Sequence, residues 1–286
     1  MKVGLQMYSV RESFQKDPKG TLEQVAATGY HAIEFANHHA DQEAGCGVGV
    51  PADKLRGYLD DFGLVPIGAH IAPFDDAILD RAIRYHTDLG TKGLVMSIDF
   101  WKSRAEVLDR CSYYNHAGAT CRAADLQFYF HNHYHEFQLI DGQAIFDLIV
   151  KNTDPELVTI ELDAYWTFRG AVDPARKIRQ YGGRIGLVHQ KDFPFSQARY
   201  IDMWARLDPD RPLDRAAFDS VLRDEEFVEI GDGMLKVQDI IDACNEAGVE
   251  YLLVEQDHGR ELSEIERIAR SMGNLRKMAG IEWTRT

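Results

Sequence analysis

The sequence predicts an α/β chain folded as a single (β/α)8 barrel over residues 1–286, and three observations carry that expectation. Short apolar runs alternate with helical patterns eight times along 286 residues, which calls for right-handed crossovers and a parallel sheet. Polar, chemistry-bearing residues gather at the C-terminal ends of the apolar runs, the face where barrels of this kind place their sites. The turn after the first run, Ser9-Val10-Arg11-Glu12, lacks the glycine-rich phosphate loop that a doubly wound open sheet usually carries there.

In chain order, residues 2–8 read as a strand and 18–28 as a helix with Leu22, Val25 and Ala26 on one face, stopped by Gly29. The unit then recurs: strand 30–35, helix 51–62 closed by Gly63, strand 64–70, helix 73–89 closed by Gly90, strand 93–97, helix 103–124. The strand starting at Leu126 runs into Phe128-Tyr-Phe-His-Asn-His-Tyr-His-Glu-Phe137, an aromatic run ending in histidines and a glutamate. Helix 141–151, strand 157–163, helix 174–181 and strand 184–189 follow. Helix 237–247, stopped by Gly248, strand 251–255 and helix 262–278 close the chain. The long insertion after the seventh strand, about 193–230, holds Pro194, Trp204, Pro209 and Pro212 and a helix at 213–222; a loop of that length is a lid, a binding loop or an interface.

With 45% hydrophobic and 27% charged residues the composition is that of an ordinary globular protein. The net charge of -14, without any concentrated Lys/Arg run, excludes a nucleic-acid footprint and an anionic membrane surface as partners. No signal segment and no stretch of about 20 apolar residues is present, so the expected location is cytoplasmic. Cys46, Cys111, Cys121 and Cys244 are widely spaced and read as free thiols.

Four strands end in candidate ligands: His131, Asp163, His189 and Glu255. Along a strand, residues two apart share a face, so His131 pairs with His133, Glu161 with Asp163, and His189 with Lys191. A buried carboxylate must be paired, neutralised or metal-bound, and gathering such groups on adjacent strands points to one site. Two carboxylates with imidazoles suit one divalent ion of the Mn, Co, Fe, Ni or Zn class better than Mg or Ca. Such an ion can stabilise an enediolate while a neighbouring carboxylate or lysine moves the proton.

These residues resemble the sugar phosphate isomerase/epimerase-like proteins of the xylose isomerase-like TIM barrel superfamily. The likeness runs nearly end to end, through Gly4-Leu-Gln-Met-Tyr-Ser-Val-Arg11, Thr28-Gly-Tyr-His-Ala-Ile-Glu-Phe35, His131-Asn-His133 with Glu136-Phe137, Glu161-Leu-Asp163 with Trp166, Gly183-Arg-Ile185 with His189-Gln-Lys-Asp192, Gly231-Asp-Gly233 and Val254-Glu-Gln-Asp257. The resemblance implies a metal held by Asp163, His189 and Glu255, with His131 standing where many relatives have a glutamate. It implies a sugar, keto-sugar or cyclitol substrate, an isomerase or epimerase working through an enediolate, and a homodimer or homotetramer. Because His131 replaces one of the two glutamates that ketose 3-epimerases use, a lyase, dehydratase or hydrolase acting on keto-sugars or inososes is the alternative. Glu255, His131 and Lys191 are the catalytic candidates. Glu34, His70, Trp166 and His133 are the candidate substrate contacts, with Gln6 a weaker one; a structural hydrogen bond is the competing role for Glu34 and His70, packing for Trp166, and a salt bridge to Asp192 for Lys191. His38, His39, His116 and His258 read as surface residues. The DNA-repair endonuclease branch of the superfamily is disfavoured by the acidic charge and by Ser97 at a position where it has a histidine ligand.

Overall fold

The computed structural model describes residues 1–208, 213–259 and 261–283; Pro209 and Pro212 of the insertion lie outside them. Eight parallel strands close into a barrel: β1 (Lys2–Gln6), β2 (Ala32–Asn37), β3 (Val65–Ile71), β4 (Gly93–Met96), β5 (Gln127–His131), β6 (Val158–Asp163), β7 (Ile185–Gln190) and β8 (Tyr251–Val254). Each strand pairs with its neighbours in sequence, and β1 closes on β8 with Leu5 opposite Val254. The chain is therefore a (β/α)8 TIM barrel with its crossover helices outside.

Local chemistry sets the helix ends. Asp17 and Pro18 open α1 of the crossover set (Pro18–Thr28), with the Asp17 carboxylate accepting from the Gly20 N–H, and Gly29 ends it at a φ of 104° that a side chain would resist. Asp75 caps the helix Asp76–Leu89, so the chain before it, expected as helix from 73, is a non-helical bend and lead-in. Ser263 and Glu266 form a reciprocal capping box on the last helix, Glu264–Leu275. The helices 174–181 and 237–247 have the expected bounds. Several elements escaped the sequence pattern, among them a short helix, Arg11–Lys16, after β1. The helix expected from 141 starts only at Ile145, because a hairpin of Leu139–Ile140 and Gln143–Ala144 turns through Asp141 and Gly142, both at positive φ. A short helix, Ala164–Arg169, follows β6 directly, capped by the Asp163 carboxylate.

The barrel interior is layered. Toward the strand N-termini it is apolar, with Ala32, Ile67, Leu187, Tyr251 and Leu253 packed together against Tyr129. One step along each strand, two residues on, the inward positions become Glu34, His131, Glu161, His189 and Glu255. A larger apolar layer between strands and helices carries the rest of the core, and all four cysteines are free and buried in it. Among the described residues no helix is long and apolar enough to cross a membrane.

The insertion after β7 folds back across the C-terminal face. It is fastened by Arg169, a fully buried side chain that donates to the Glu226 carboxylate at 2.9 Å, the Ile201 carbonyl at 3.0 Å and the Tyr200 carbonyl at 3.1 Å. The crossover to β8 is made by Val237–Ala247, and the insertion helix is Arg215–Ser220, shorter than the expected 213–222.

Candidate active site

The C-terminal ends of β1, β2, β3, β5, β6, β7 and β8 deliver a two-tiered polar cluster. In the lower tier Glu34 and Glu161 are fully buried among imidazoles. His70 Nε2 lies 2.6 Å from Glu161 Oε2 and 3.3 Å from Glu34 Oε2, and His131 Nδ1 lies 3.0 Å from Glu161 Oε2. His189 Nε2 lies 2.7 Å from Glu34 Oε2 and 3.3 Å from Glu161 Oε1, and Gln6 donates to Glu34 at 2.7 Å. The upper tier uses the other edges of the same rings. His189 Nδ1 is 2.8 Å from Glu255 Oε2, and His131 Nε2 faces Asp163 Oδ2 at 4.0 Å.

Lys191 bridges the upper carboxylates, with Nζ 2.5 Å from Asp163 Oδ2, in contact with Glu255 Oε2 and 3.8 Å from Asp257 Oδ1. The salt bridge to Asp192 that competed as a role for Lys191 does not form: Asp192 instead accepts from the N–H groups of Gly231, Gly233 and Leu235.

Burial and charge act against each other here. Burial pulls the His70 imidazole down, but Glu34 and Glu161 outweigh it and raise it to about 9. His189 is likewise lifted well above its usual value, against burial, by Glu161, Glu255 and Glu34. His131 is held down to about 3, chiefly by burial. Asp257 is pushed up to about 7 by burial, with Lys191 opposing and Glu255 and Asp163 adding to the rise. Lys191, despite burial, is held as a cation by Asp163, Glu255 and Asp257.

The donor set fits a divalent ion. Asp163, His189 and Glu255 present ligand atoms within 4.8 Å of one another, and His131 Nε2 borders them. Each imidazole is anchored through its far nitrogen, His131 by Glu161 and His189 by Glu34, the carboxylate–histidine arrangement that fixes ring and tautomer for a metal.

Above this floor opens a cavity of about 390 Å³, within the range of small-molecule sites. His70, His131, His133, Trp166, Lys191 and Glu255 line it, six of the residues the sequence singled out. Glu34, a candidate contact for substrate hydroxyls, does not line the cavity: it is buried against Gln6, His70 and His189, the hydrogen-bonded arrangement that was its competing reading. His38 and His39, read as surface residues, are exposed at the cavity mouth beside Tyr8. Arg215, Phe218, Asp219 and Leu222 form a wall contributed by the insertion. Those wall residues had no sequence signal, since nothing in 213–222 says which way its helix faces. Asp257 had one, the two-residue spacing after Glu255.

The family model for the xylose isomerase-like TIM barrel matches residues 22–278. This chain belongs to the xylose isomerase-like TIM barrel family. Among solved members of that fold, a sugar phosphate isomerase/epimerase from Parabacteroides distasonis superposes with a TM-score of 0.79 at 23% identity, covering 98% of this chain and 95% of the other. An L-ribulose 3-epimerase superposes at 0.68 and 15% identity, covering 97% and 94%. The IOLI protein, solved with a bound zinc atom, superposes at 0.69 and 16% identity, covering 97% of each chain. At such identities these xylose isomerase-like barrels share the fold with this one. No curated protein matches the sequence.

Proposed function

We propose that this protein is a divalent-metal-dependent isomerase or epimerase of a sugar or keto-sugar, working through an enediolate. The observation that carries the reading is the convergence of Asp163, His189 and Glu255, with His131 beside them, on the floor of a cavity sized for a small polar molecule. The likeness to barrels named as sugar phosphate isomerase/epimerase and L-ribulose 3-epimerase supports it, and the zinc in the IOLI structure supports a metal in such a site. Asp163, His189, Glu255 and His131 hold the ion, which supplies Lewis-acid polarisation of a carbonyl and its neighbouring hydroxyl. Lys191, a cation at the cavity floor, donates to the substrate oxygen that gains negative charge. Glu255 moves the proton at carbon, and Asp257, raised to about 7, is poised to exchange it near neutral pH. Trp166 and His133 form the wall against which a sugar face packs.

A second reading, a lyase or dehydratase of keto-sugars or inososes on the same site, draws on His131. Its buried neutral imidazole leaves the site with unequal bases on its two sides, which elimination tolerates and symmetric epimerisation does not. The test is elemental analysis of purified wild type and Asp163→Ala, followed by a panel of ketoses and inososes read by NMR. A Mn, Co, Fe, Ni or Zn content lower by about one ion per chain in Asp163→Ala than in wild type supports the site; solvent deuterium appearing in an isomerised product selects the first reading, and loss of water from the substrate selects the second. Absence of metal after resupply removes both.

A further inference from the structure

The loop after β5 builds a second constellation, of which the proposed reaction uses only His133, as part of the cavity wall. His133, His135 and Glu136 each offer one ligand atom, and these atoms lie within 4.8 Å of one another. His135 and Glu136 are 1% and 0% exposed, and His133 is half-buried at the cavity wall. His133 Nδ1, His135 Nδ1 and Glu136 Oε1 are buried atoms without a hydrogen-bond partner among the described residues. His135 Nδ1 stands 3.3 Å from Glu136 Oε2, close but not aligned for a hydrogen bond.

The surroundings turn lone pairs inward. His135 donates through Nε2 to the Asp99 carbonyl at 2.7 Å, so in the neutral ring Nδ1 carries a lone pair, 3.3 Å from Glu136 Oε2. Glu136 Oε2 accepts from the His133 N–H at 2.9 Å, which holds the carboxylate inside its own turn. Aromatic rings fix both imidazoles: Phe100 stacks on His135 at 4.7 Å, and Phe218 meets His133 and His135 edge-on, each at 5.2 Å. Leaving such acceptors buried and facing one another is costly unless a positive species joins them.

We propose that His133, His135 and Glu136 form a second divalent-cation site, separate from the one at Asp163. Two imidazoles and one carboxylate select the borderline ions Zn, Co, Ni or Fe(II), and three protein donors leave coordination positions open. Because His133 lines the cavity, the bound ion sits in its wall, where it can take a substrate oxygen that the Asp163 site does not reach.

Equilibrium dialysis against CoCl2 with elemental analysis, on wild type, His135→Phe, Asp163→Ala and the double variant, separates the sites. The expected saturation is about two ions for wild type, about one for each single variant and none for the double variant. Phenylalanine keeps the stack between Phe100 and Trp101; should that variant misfold by circular dichroism, Glu136→Gln, which still accepts from the His133 N–H, reads the same loss. Equal stoichiometry in wild type and in a folded His135→Phe or Glu136→Gln overturns the proposal, and shows that protons alone fill the network. If a single ion is lost in Asp163→Ala but not in His135→Phe, the reading under Proposed function survives and this one falls. The opposite pattern retains this site and removes the other.

Discussion

His189 and Glu34 meet beneath the cavity floor, His189 Nε2 lying 2.7 Å from Glu34 Oε2 while the opposite ring nitrogen faces Glu255. A neutral His189 that donates to Glu34 is committed to present its Nδ1 lone pair upward. Under the proposed function Glu34 would act on the metal through that imidazole, since Glu34 itself does not line the cavity.

Replacing Glu34 with Gln keeps an acceptor for the imidazole but removes the charge that polarises it. Metal affinity is expected to fall by about 10–100-fold with the fold retained, as for other ligand-anchoring partners. Competition against a chromophoric chelator measures it. Unchanged affinity in folded Glu34→Gln means that the carboxylate plays no part in positioning His189.

Arg169→Met tests how the insertion is held. The guanidinium is fully buried and pairs with Glu226, which is 2% exposed, so the substitution leaves Glu226 as a buried charge with Arg206 as its other partner. A loss on the order of 3 kcal/mol is expected, with greater proteolytic nicking between 193 and 230 than elsewhere. Since Phe218 and Leu222 wall the cavity, KM should rise more than kcat falls. Equal cleavage of wild type and variant inside the insertion would show that the tether is elsewhere.

The His70 imidazole couples stability to pH. Its folded pKa is raised from 6.5 to about 9 by Glu34 and Glu161 against burial. Below pH 6.5 folded and unfolded states both carry the proton and the contribution is complete. Between 6.5 and about 9 the unfolded chain releases it while the fold retains it, so stability declines with rising pH and the contribution is gone above that window. In chelator-treated protein, urea midpoints across this range should fall in wild type, by on the order of 1–3 kcal/mol, and fall less in His70→Asn. Parallel slopes for the two proteins would remove His70 as the source.

The barrel was legible because each strand carries a buried run and each helix a stop: Gly29, Gly63, Gly90 and Gly248 all sit at helix C-termini with positive φ. The convergence of the polar cluster was legible for a related reason, since two-residue alternation puts His131, Asp163, His189 and Glu255 on inward faces whatever the exact strand ends. Depth was not. Whether an inward side chain reaches the cavity or stops below it depends on strand stagger, and β2 shifts register against β3 between Ile33 and Glu34. Partner choice was equally hidden: Lys191 has Asp192 beside it in sequence yet pairs across the barrel with Asp163 and Glu255. The cavity wall from Arg215 to Leu222 depends on long-range docking of the insertion, which local pattern does not encode.

Gly68 offers a test of the lower tier that leaves every ligand in place. It sits opposite Glu34 in the β2–β3 register, and a Cβ there would come within 2.3 Å of Glu34 Oε1 and 3.2 Å of Cδ and Cγ. The fully buried Glu34 side chain is held by Gln6 and His189 and has little room to yield. Gly68→Ala is therefore expected to destabilise by about 1–3 kcal/mol, as overpacking does, and to displace the carboxylate that orients His189. Shortening Glu34 removes the clash, so in a Glu34→Ala background the same glycine substitution should cost much less. A double-mutant cycle on urea midpoints yields that coupling directly. If Gly68→Ala costs the same in both backgrounds, its effect comes from the strand itself, and the absence of a side chain at residue 68 is unrelated to the placement of Glu34.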